Sequence, residues 1–242
     1  AYYLEEAEKL LMKLNKHWLI TFLLILALFI RVVPIDFPFF TSDEARVAIR
    51  GYLLANLGQD ELGRSYPLLF NSLTDYQLPL VSYITALGEI LFGKSDFGVR
   101  LPFISLGVGL VLLIYKIAQI FSPRREFWLL SAAILAFSPA LFFLSKIPNE
   151  SILLACIISF LFYLLIKARP NLISIFVFIV LALLSSKFAW FVIAPFVIFT
   201  LFVFPNYLPK KSKVNISILC LLISLLTIMA FWQIPQAKRS LL

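Results

Sequence analysis

Long apolar stretches separated by short polar segments dominate the pattern along this chain. Several of these stretches would, as helices, be long enough to cross about 30 Å of hydrocarbon. Eight apolar runs can be recognised, at residues 18–35, 78–92, 101–121, 127–144, 151–166, 172–184, 188–204 and 214–234. Because helices satisfy their own backbone hydrogen bonds in lipid, the pattern predicts an all-α polytopic membrane protein.

Composition excludes the other broad classes of protein. The chain is 62% hydrophobic and only 14% charged, with a mean hydropathy of +0.97, whereas a soluble domain is about half apolar and a quarter charged. The 25 Phe and 4 Trp exclude a disordered polar tract. Cys156 and Cys220 both lie inside apolar runs and form no metal or redox motif. The net charge of +8 therefore informs topology, and we expect no nucleic-acid partner.

The run 78–92 is predicted not to span the bilayer, but either to lie on the membrane surface or to dip into the membrane. It is short and contains Pro79, Gly88 and Glu89. If the N-terminus is cytoplasmic and this run does not span, most loop lysines and arginines, including Arg124 and Lys210, fall on the cytoplasmic side. We therefore predict a plasma-membrane protein with seven transmembrane helices and an active site on the outer face.

A long first outer loop, residues 36–100, follows from this topology. Within it, Ser42 is a good N-cap for a helix over 43–57, and Gly58 would end that helix. Its stripe of Val47, Leu54 and Leu57 predicts an amphipathic helix at the interface. Residues 1–242 are expected to form one transmembrane module, a fragment whose C-terminal part is missing.

Charged side chains from several outer loops are the candidates for chemistry. Asp43 and Glu44 could supply a general base or hold a cation, or could only stabilise the first turn of a helix. Lys146, Asn149 and Glu150 lie in a second outer loop, where a tight connection needs polar residues in any case.

Two cations at membrane boundaries complete the pattern. Lys187 follows two serines between apolar runs, and Arg100 precedes Leu-Pro at the mouth of a helix. Either could hold a lipid phosphate or only extend its charge to the headgroups. Taken together, the outer residues fit a lipid-phosphate leaving group held by cations, with a carboxylate that deprotonates an acceptor.

The order of short motifs resembles that of the GT-C membrane glycosyltransferases, in the branch of protein mannosyltransferases and lipid A aminoarabinose transferases. The resemblance covers nearly the whole chain. It rests on Ser42-Asp43-Glu44-Ala45-Arg46, Asp75-Tyr76-Gln77-Leu78-Pro79-Leu80, Gly98-Val99-Arg100-Leu101-Pro102, Ser138-Pro139, Leu144-Ser145-Lys146-Ile147-Pro148-Asn149-Glu150-Ser151 and Leu184-Ser185-Ser186-Lys187-Phe188.

This resemblance implies a GT-C-like bundle with juxtamembrane helices in its first outer loop. It also implies transfer of a hexosyl or pentosyl group from a polyprenyl-phosphate donor to a protein, lipid or glycan acceptor on the non-cytoplasmic side. Asp43 matches the acid of the first loop, the expected general base, and Glu150 matches the acid of the second loop. Lys187 and Arg100 match the family's cations.

The remaining expectations concern substrate contacts, cofactors and an alternative function. Lys146, Tyr76, Gln77 and Arg46 are expected to bind substrate, while Glu44 and Glu150 orient groups or hold a divalent cation. Metal dependence stays open. The alternative is a flippase or transporter of a lipid carrier, but such a protein should carry ionisable residues at mid-membrane, and the helix centres here are nearly free of charge.

Overall fold

The computed structural model describes residues 18–33, 41–71, 76–166 and 172–203, and a few single positions after residue 217. The eighth apolar run, Asp75 and Lys210 lie outside the described residues, apart from those single positions in the run. The described elements are α1 (Trp18–Val32), α2 (Ser42–Leu57), β1 (Phe70–Asn71), β2 (Tyr76–Gln77), α3 (Pro79–Phe92), α4 (Asp96–Phe121), α5 (Arg125–Ala136), α6 (Pro139–Lys146), α7 (Glu150–Ile166), α8 (Leu172–Ser185) and α9 (Phe188–Val203). β1 and β2 form a short antiparallel pair in which Phe70 faces Gln77.

Capping residues fix the bounds of α2. The side chain of Thr41, rather than the predicted Ser42, accepts a hydrogen bond from the backbone N–H of Glu44 at 3.2 Å. Gly58 ends the helix as predicted: its φ of 64° is left-handed, and its N–H donates to the carbonyl of Leu54. The N-cap prediction was therefore wrong by one residue.

The apolar run 127–144 forms two helices rather than one. α5 ends at Ala136, α6 begins at Pro139, and the two axes differ by 56°. Proline lacks an N–H and disfavours helical geometry at the residue before it, and Ser138 is accordingly extended. The sequence therefore breaks the run at the Ser-Pro pair, although its hydropathy is continuous.

Among the described helices, α4 alone is long and apolar enough to cross a membrane, and the bent α5–α6 pair passes the same test as one unit. The helices α1, α3, α7, α8 and α9 are apolar but shorter than 18 residues. The bundle of seven spanning helices stays a prediction. Large apolar side chains such as Phe188 and Phe191 are mostly exposed, which fits a surface that contacts lipid.

Three apolar clusters and a stack of three helices organise the fold. The first cluster joins residues of α1 to α7, the second joins α7, α8 and α9, and the third joins α2, β1 and α3. α2 packs on α3, and α3 packs on α4. The last contact needs glycine, because a Cβ atom at Gly88 would lie 2.3 Å from the carbonyl oxygen of Gly98.

The buried face of α2 is partly charged, unlike the apolar stripe predicted for it. Glu44 and Arg50 are buried on the same face as Val47 and Leu54, whereas Leu57 is 63% exposed. The helix is therefore fastened to its neighbours by ion pairs as well as by apolar contact.

Candidate active site

A cavity of about 190 Å³ lies where the first turn of α2 meets β2 and the start of α7. It brings together three of the predicted site residues, which come from distant parts of the chain: Asp43, Gln77 and Glu150. The other lining residues are Val47, Leu78, Val81, Pro148 and Asn149. Two carboxylates, Asp43 and Glu150, and two amides, Gln77 and Asn149, thus line one small cavity.

Asp43 is the accessible carboxylate of this cavity. Its side chain is 79% exposed, and one of its oxygens lies 3.1 Å from Nη2 of Arg46, one turn further along α2. The position in the first turn places the carboxylate where the helix dipole favours a negative charge. Asp43 is therefore ionisable, open to a ligand and held by a neighbouring cation.

Asn149 holds the start of α7, which lines the cavity together with Asp43 of α2. Its Oδ1 accepts hydrogen bonds from the backbone N–H groups of Ser151 and Ile152, at 2.9 and 3.1 Å. Its Nδ2 donates to the carbonyls of Leu144 and Ile147, at 2.8 and 2.9 Å. The side chain thus caps α7 and holds the turn from α6, which positions Glu150 at the cavity. Asn149 acts here as a structural residue.

Gln77 is oriented by Arg50, a residue that the sequence analysis did not single out. Nε of the buried Arg50 donates to Oε1 of Glu61 at 2.6 Å, and its Nη1 donates to Oε1 of Gln77. The guanidinium also lies 5.4 Å from the ring centroid of Phe70. Because a guanidinium only donates hydrogen bonds, the amide oxygen of Gln77 must face it. The two N–H groups of the amide are then the ones available to a ligand.

A tight loop holds Glu61 for this interaction. Oδ1 of Asp60 accepts hydrogen bonds from the backbone N–H groups of Leu62 and Arg64, and Oδ2 accepts from the Arg64 side chain at 2.7 Å. Burial raises the pKa of Asp60, but the hydrogen bonds to Arg64 and Leu62 outweigh it, so the pKa lies below its usual value. The loop is therefore tied together by an ionised carboxylate.

Glu44 and Arg100 form a buried ion pair. Nε and Nη2 of Arg100 donate to the two carboxylate oxygens of Glu44 at 2.6 and 2.9 Å, and both side chains are fully buried. The bidentate geometry joins α2 to α4, although the residues are 56 positions apart. This arrangement favours a structural role for both residues over the predicted roles in phosphate binding and cation binding.

The other predicted site residues lie outside the described lining of this cavity. Lys146 is buried, with Nζ 5.0 Å from the ring centroid of Phe142. Lys187 is half-buried between α8 and α9, and Tyr76 is half-buried in β2. Within the part of the chain that the structure describes, no three His, Cys, Asp or Glu side chains are grouped so as to hold a metal ion.

A larger apolar cavity, of about 590 Å³, lies between α4, α7 and α8. Its polar lining groups are those of Ser105, Lys116, Cys156 and Tyr163. The rest of the described lining is apolar: Pro102, Leu106, Gly109, Leu110, Leu112, Leu113, Ile157, Phe160 and Phe178. Such a lining suits a hydrocarbon chain.

A comparison with models of protein families identifies the family of this chain. Residues 77–233 match the model described as dolichyl-phosphate-mannose-protein mannosyltransferase, which is more than half of the 242 residues. The chain belongs to this family. Membership supports a membrane glycosyltransferase that uses a polyprenyl-phosphate-linked sugar. The match begins at Gln77, so α2 and Asp43 precede it. No curated protein and no solved structure matches this chain.

Proposed function

We propose that this member of the mannosyltransferase family transfers a sugar from a polyprenyl-phosphate donor to an acceptor hydroxyl on the non-cytoplasmic side of the membrane. The observation that carries the proposal is the cavity in which Asp43, Gln77 and Glu150 meet. Family membership supplies the class of reaction. Acid–base groups at the mouth of a membrane-embedded protein are what such a transfer needs.

In the proposed step, the acceptor oxygen attacks the anomeric carbon of the donor sugar. The acceptor proton passes to the carboxylate of Asp43, and the bond between the anomeric carbon and the phosphate oxygen breaks. The bonding electron pair leaves with the polyprenyl phosphate. Asp43 suits this role because it is exposed and ionisable, whereas Glu44 is neutralised by Arg100. Glu150 and the amide N–H groups of Gln77 orient the sugar.

The apolar cavity offers a place for the donor lipid, and α7 contributes residues both to it and to the cavity of Asp43. The apolar cavity between α4, α7 and α8 would take part of the polyprenyl chain. Lys187, which directly precedes α9, would hold the leaving phosphate. Arg100 takes no part in the step, since its charge is committed to Glu44.

The test is transfer of labelled mannose from polyprenyl-phosphate mannose by the full-length protein in nanodiscs. Asp43→Asn should lower turnover by about 10²-fold or more, the usual scale for a positioned acid–base group, while donor binding changes much less. Glu126→Gln is the matched control, because Glu126 is also an exposed acid in the first turn of a helix but lies at α5. Undiminished turnover of Asp43→Asn would remove this residue from the mechanism.

A further inference from the structure

A second polar cavity, of about 300 Å³, lies where α2 passes the connection from α3 to α4. Its chemistry-bearing lining residues are Tyr52, Glu89, Lys94, Ser95 and Asp96, and none of them lines the cavity of Asp43. The transfer reaction therefore makes no use of this site.

Glu89 is the unusual member of this cavity. Its side chain belongs to a residue that is only 8% exposed, and its Oε2 has no hydrogen-bond partner. An unpartnered buried carboxyl oxygen is costly, about 1–3 kcal/mol or more. Burial raises the pKa of Glu89, and the nearby charge of Lys94 opposes that rise. The carboxyl group is thus built into a place where a hydrogen-bond donor from outside the chain would satisfy it.

Lys94 supplies the opposite charge at the same cavity. Its Nζ lies 3.7 Å from the ring centroid of Tyr52, which holds the ammonium group in place by a cation–π contact. Asp96, two residues later, is exposed in the first turn of α4. The cavity therefore presents one cation beside two carboxyl groups, an arrangement that complements a zwitterion.

The position of the cavity relative to the membrane indicates that the zwitterion is a lipid headgroup. α4 has 26 residues, so at 1.5 Å per residue it is about 39 Å long and exceeds the hydrocarbon core by several ångströms. Asp96 and Arg100 both lie among the first five residues of α4, so we place this end of the helix at the level of the lipid headgroups. α3 and the start of α4, which supply Glu89 and Asp96, also carry exposed apolar side chains, namely Leu87, Ile90, Leu91, Phe92 and Phe97.

We propose that this cavity binds the headgroup of a phospholipid that carries a primary ammonium, the phosphoethanolamine class. The lipid phosphate contacts Lys94, and the ammonium donates hydrogen bonds to Glu89 and Asp96. A choline headgroup has no N–H to give to Glu89, and a glycerol headgroup brings no positive charge to Asp96. The acyl chains lie along the exposed apolar side chains of α3 and α4.

The experiment measures lipid binding to the delipidated full-length protein by native mass spectrometry. Phosphatidylethanolamine should bind about tenfold more tightly than phosphatidylcholine or phosphatidylglycerol of the same acyl chains. Lys94→Ala should lower this affinity about tenfold, and Glu89→Gln should reduce the preference for ethanolamine over choline. Arg124→Ala is the matched control, an exposed cation just beyond the other end of α4, and it should leave both quantities unchanged.

Several outcomes would overturn the proposal, and none depends on transfer activity. Equal binding of the three lipids would show that no headgroup is recognised. Equal binding of phosphatidylethanolamine and phosphatidylglycerol would reduce the site to a phosphate contact. If free O-phosphoethanolamine displaced phosphatidylethanolamine at the same concentration, the site would bind the soluble headgroup alone and not a lipid. If Glu89→Gln unfolds the protein, the result for Lys94→Ala tests the proposal instead, because Lys94 is exposed and its replacement removes no buried side chain.

Discussion

Adjacent carboxylates in α2 should respond to mutation in opposite ways. Glu44 accepts two hydrogen bonds from Arg100, at 2.6 and 2.9 Å, and both side chains are fully buried. Asp43 is 79% exposed and lies 3.1 Å from Arg46. Replacing each carboxylate by its amide, Glu44→Gln and Asp43→Asn, changes one atom in each side chain. The two variants therefore compare burial and accessibility at neighbouring positions of one helix.

The expected magnitudes follow from those environments. Glu44→Gln removes the negative charge that Glu44 places against the buried guanidinium of Arg100, and breaking such a buried pair costs about 3–5 kcal/mol. At about 2–4 °C per kcal/mol for a chain of this size, the apparent Tm should fall by about 6–20 °C. Asp43→Asn removes only an exposed pair one helical turn apart, so its effect on stability should stay within about 0.5 kcal/mol. Its effect on turnover should instead be about 10²-fold or more.

The assay combines thermal unfolding in nanodiscs with transfer from polyprenyl-phosphate mannose. Glu44→Leu combined with Arg100→Met replaces the pair by apolar groups of similar volume and should regain most of the lost stability, because no charge is then left unpaired. An Asp43→Asn variant that unfolds as early as Glu44→Gln would refute this account. So would a Glu44→Gln variant of unchanged Tm, because Arg100 would then have another way to satisfy its charge.

Three further predictions concern the parts of the fold that support the site. Gly107→Ala should lower the Tm, because the new Cβ atom would lie 2.4 Å from Cβ of Ser145. Gly109→Ala is the control: its Cβ atom would have nothing within 4 Å, and the substitution should be neutral or slightly stabilising. Equal Tm values for the two variants would contradict the close approach of Gly107 to Ser145. Asn149→Ala should cost about 1 kcal/mol of stability by uncapping α7, as thermal unfolding would measure. Asp60→Asn should destabilise the protein at neutral pH, because the pKa of Asp60 is lower in the folded state than in the unfolded state. The ionised carboxylate therefore stabilises the fold fully above the unfolded-state pKa of about 3.8. This stabilisation is lost as the pH falls through the folded-state pKa. A stability difference between wild type and Asp60→Asn that does not shrink on acidification would count against this.

Local sequence signals predicted much of the helical framework. Gly58 ends α2 as predicted, because the helix ends there in a left-handed backbone conformation that glycine adopts without strain. The bend between α5 and α6 escaped the prediction because hydropathy averages over a window, whereas the break depends on Pro139 and on the residue before it. The signal was present in the sequence, in the Ser-Pro pair, but it competed with a continuous apolar run.

The pairing of charges could not be predicted in the same way. Glu44 and Arg100 are 56 positions apart, and a single sequence does not reveal which of several outer carboxylates meets which cation. Arg50 carried a usable signal, because it lies three residues after Val47 and four before Leu54 on the buried face of α2. A charge at such a position must find a partner on a neighbouring element. The identity of that partner, Glu61, depends on how the following loop folds.

The contrast between neighbouring residues explains how one short helix can serve both stability and chemistry. A helix rotates by about 100° per residue, so Asp43 and Glu44 necessarily face different surroundings. Glu44 faces α4 and fastens the helix by a buried pair, and that same contact fixes the direction in which Asp43 points. Arg50 lies on the buried face about two turns later and orients Gln77 at the far side of the cavity. The charged residues inside the fold thus set the geometry of the polar groups that remain accessible.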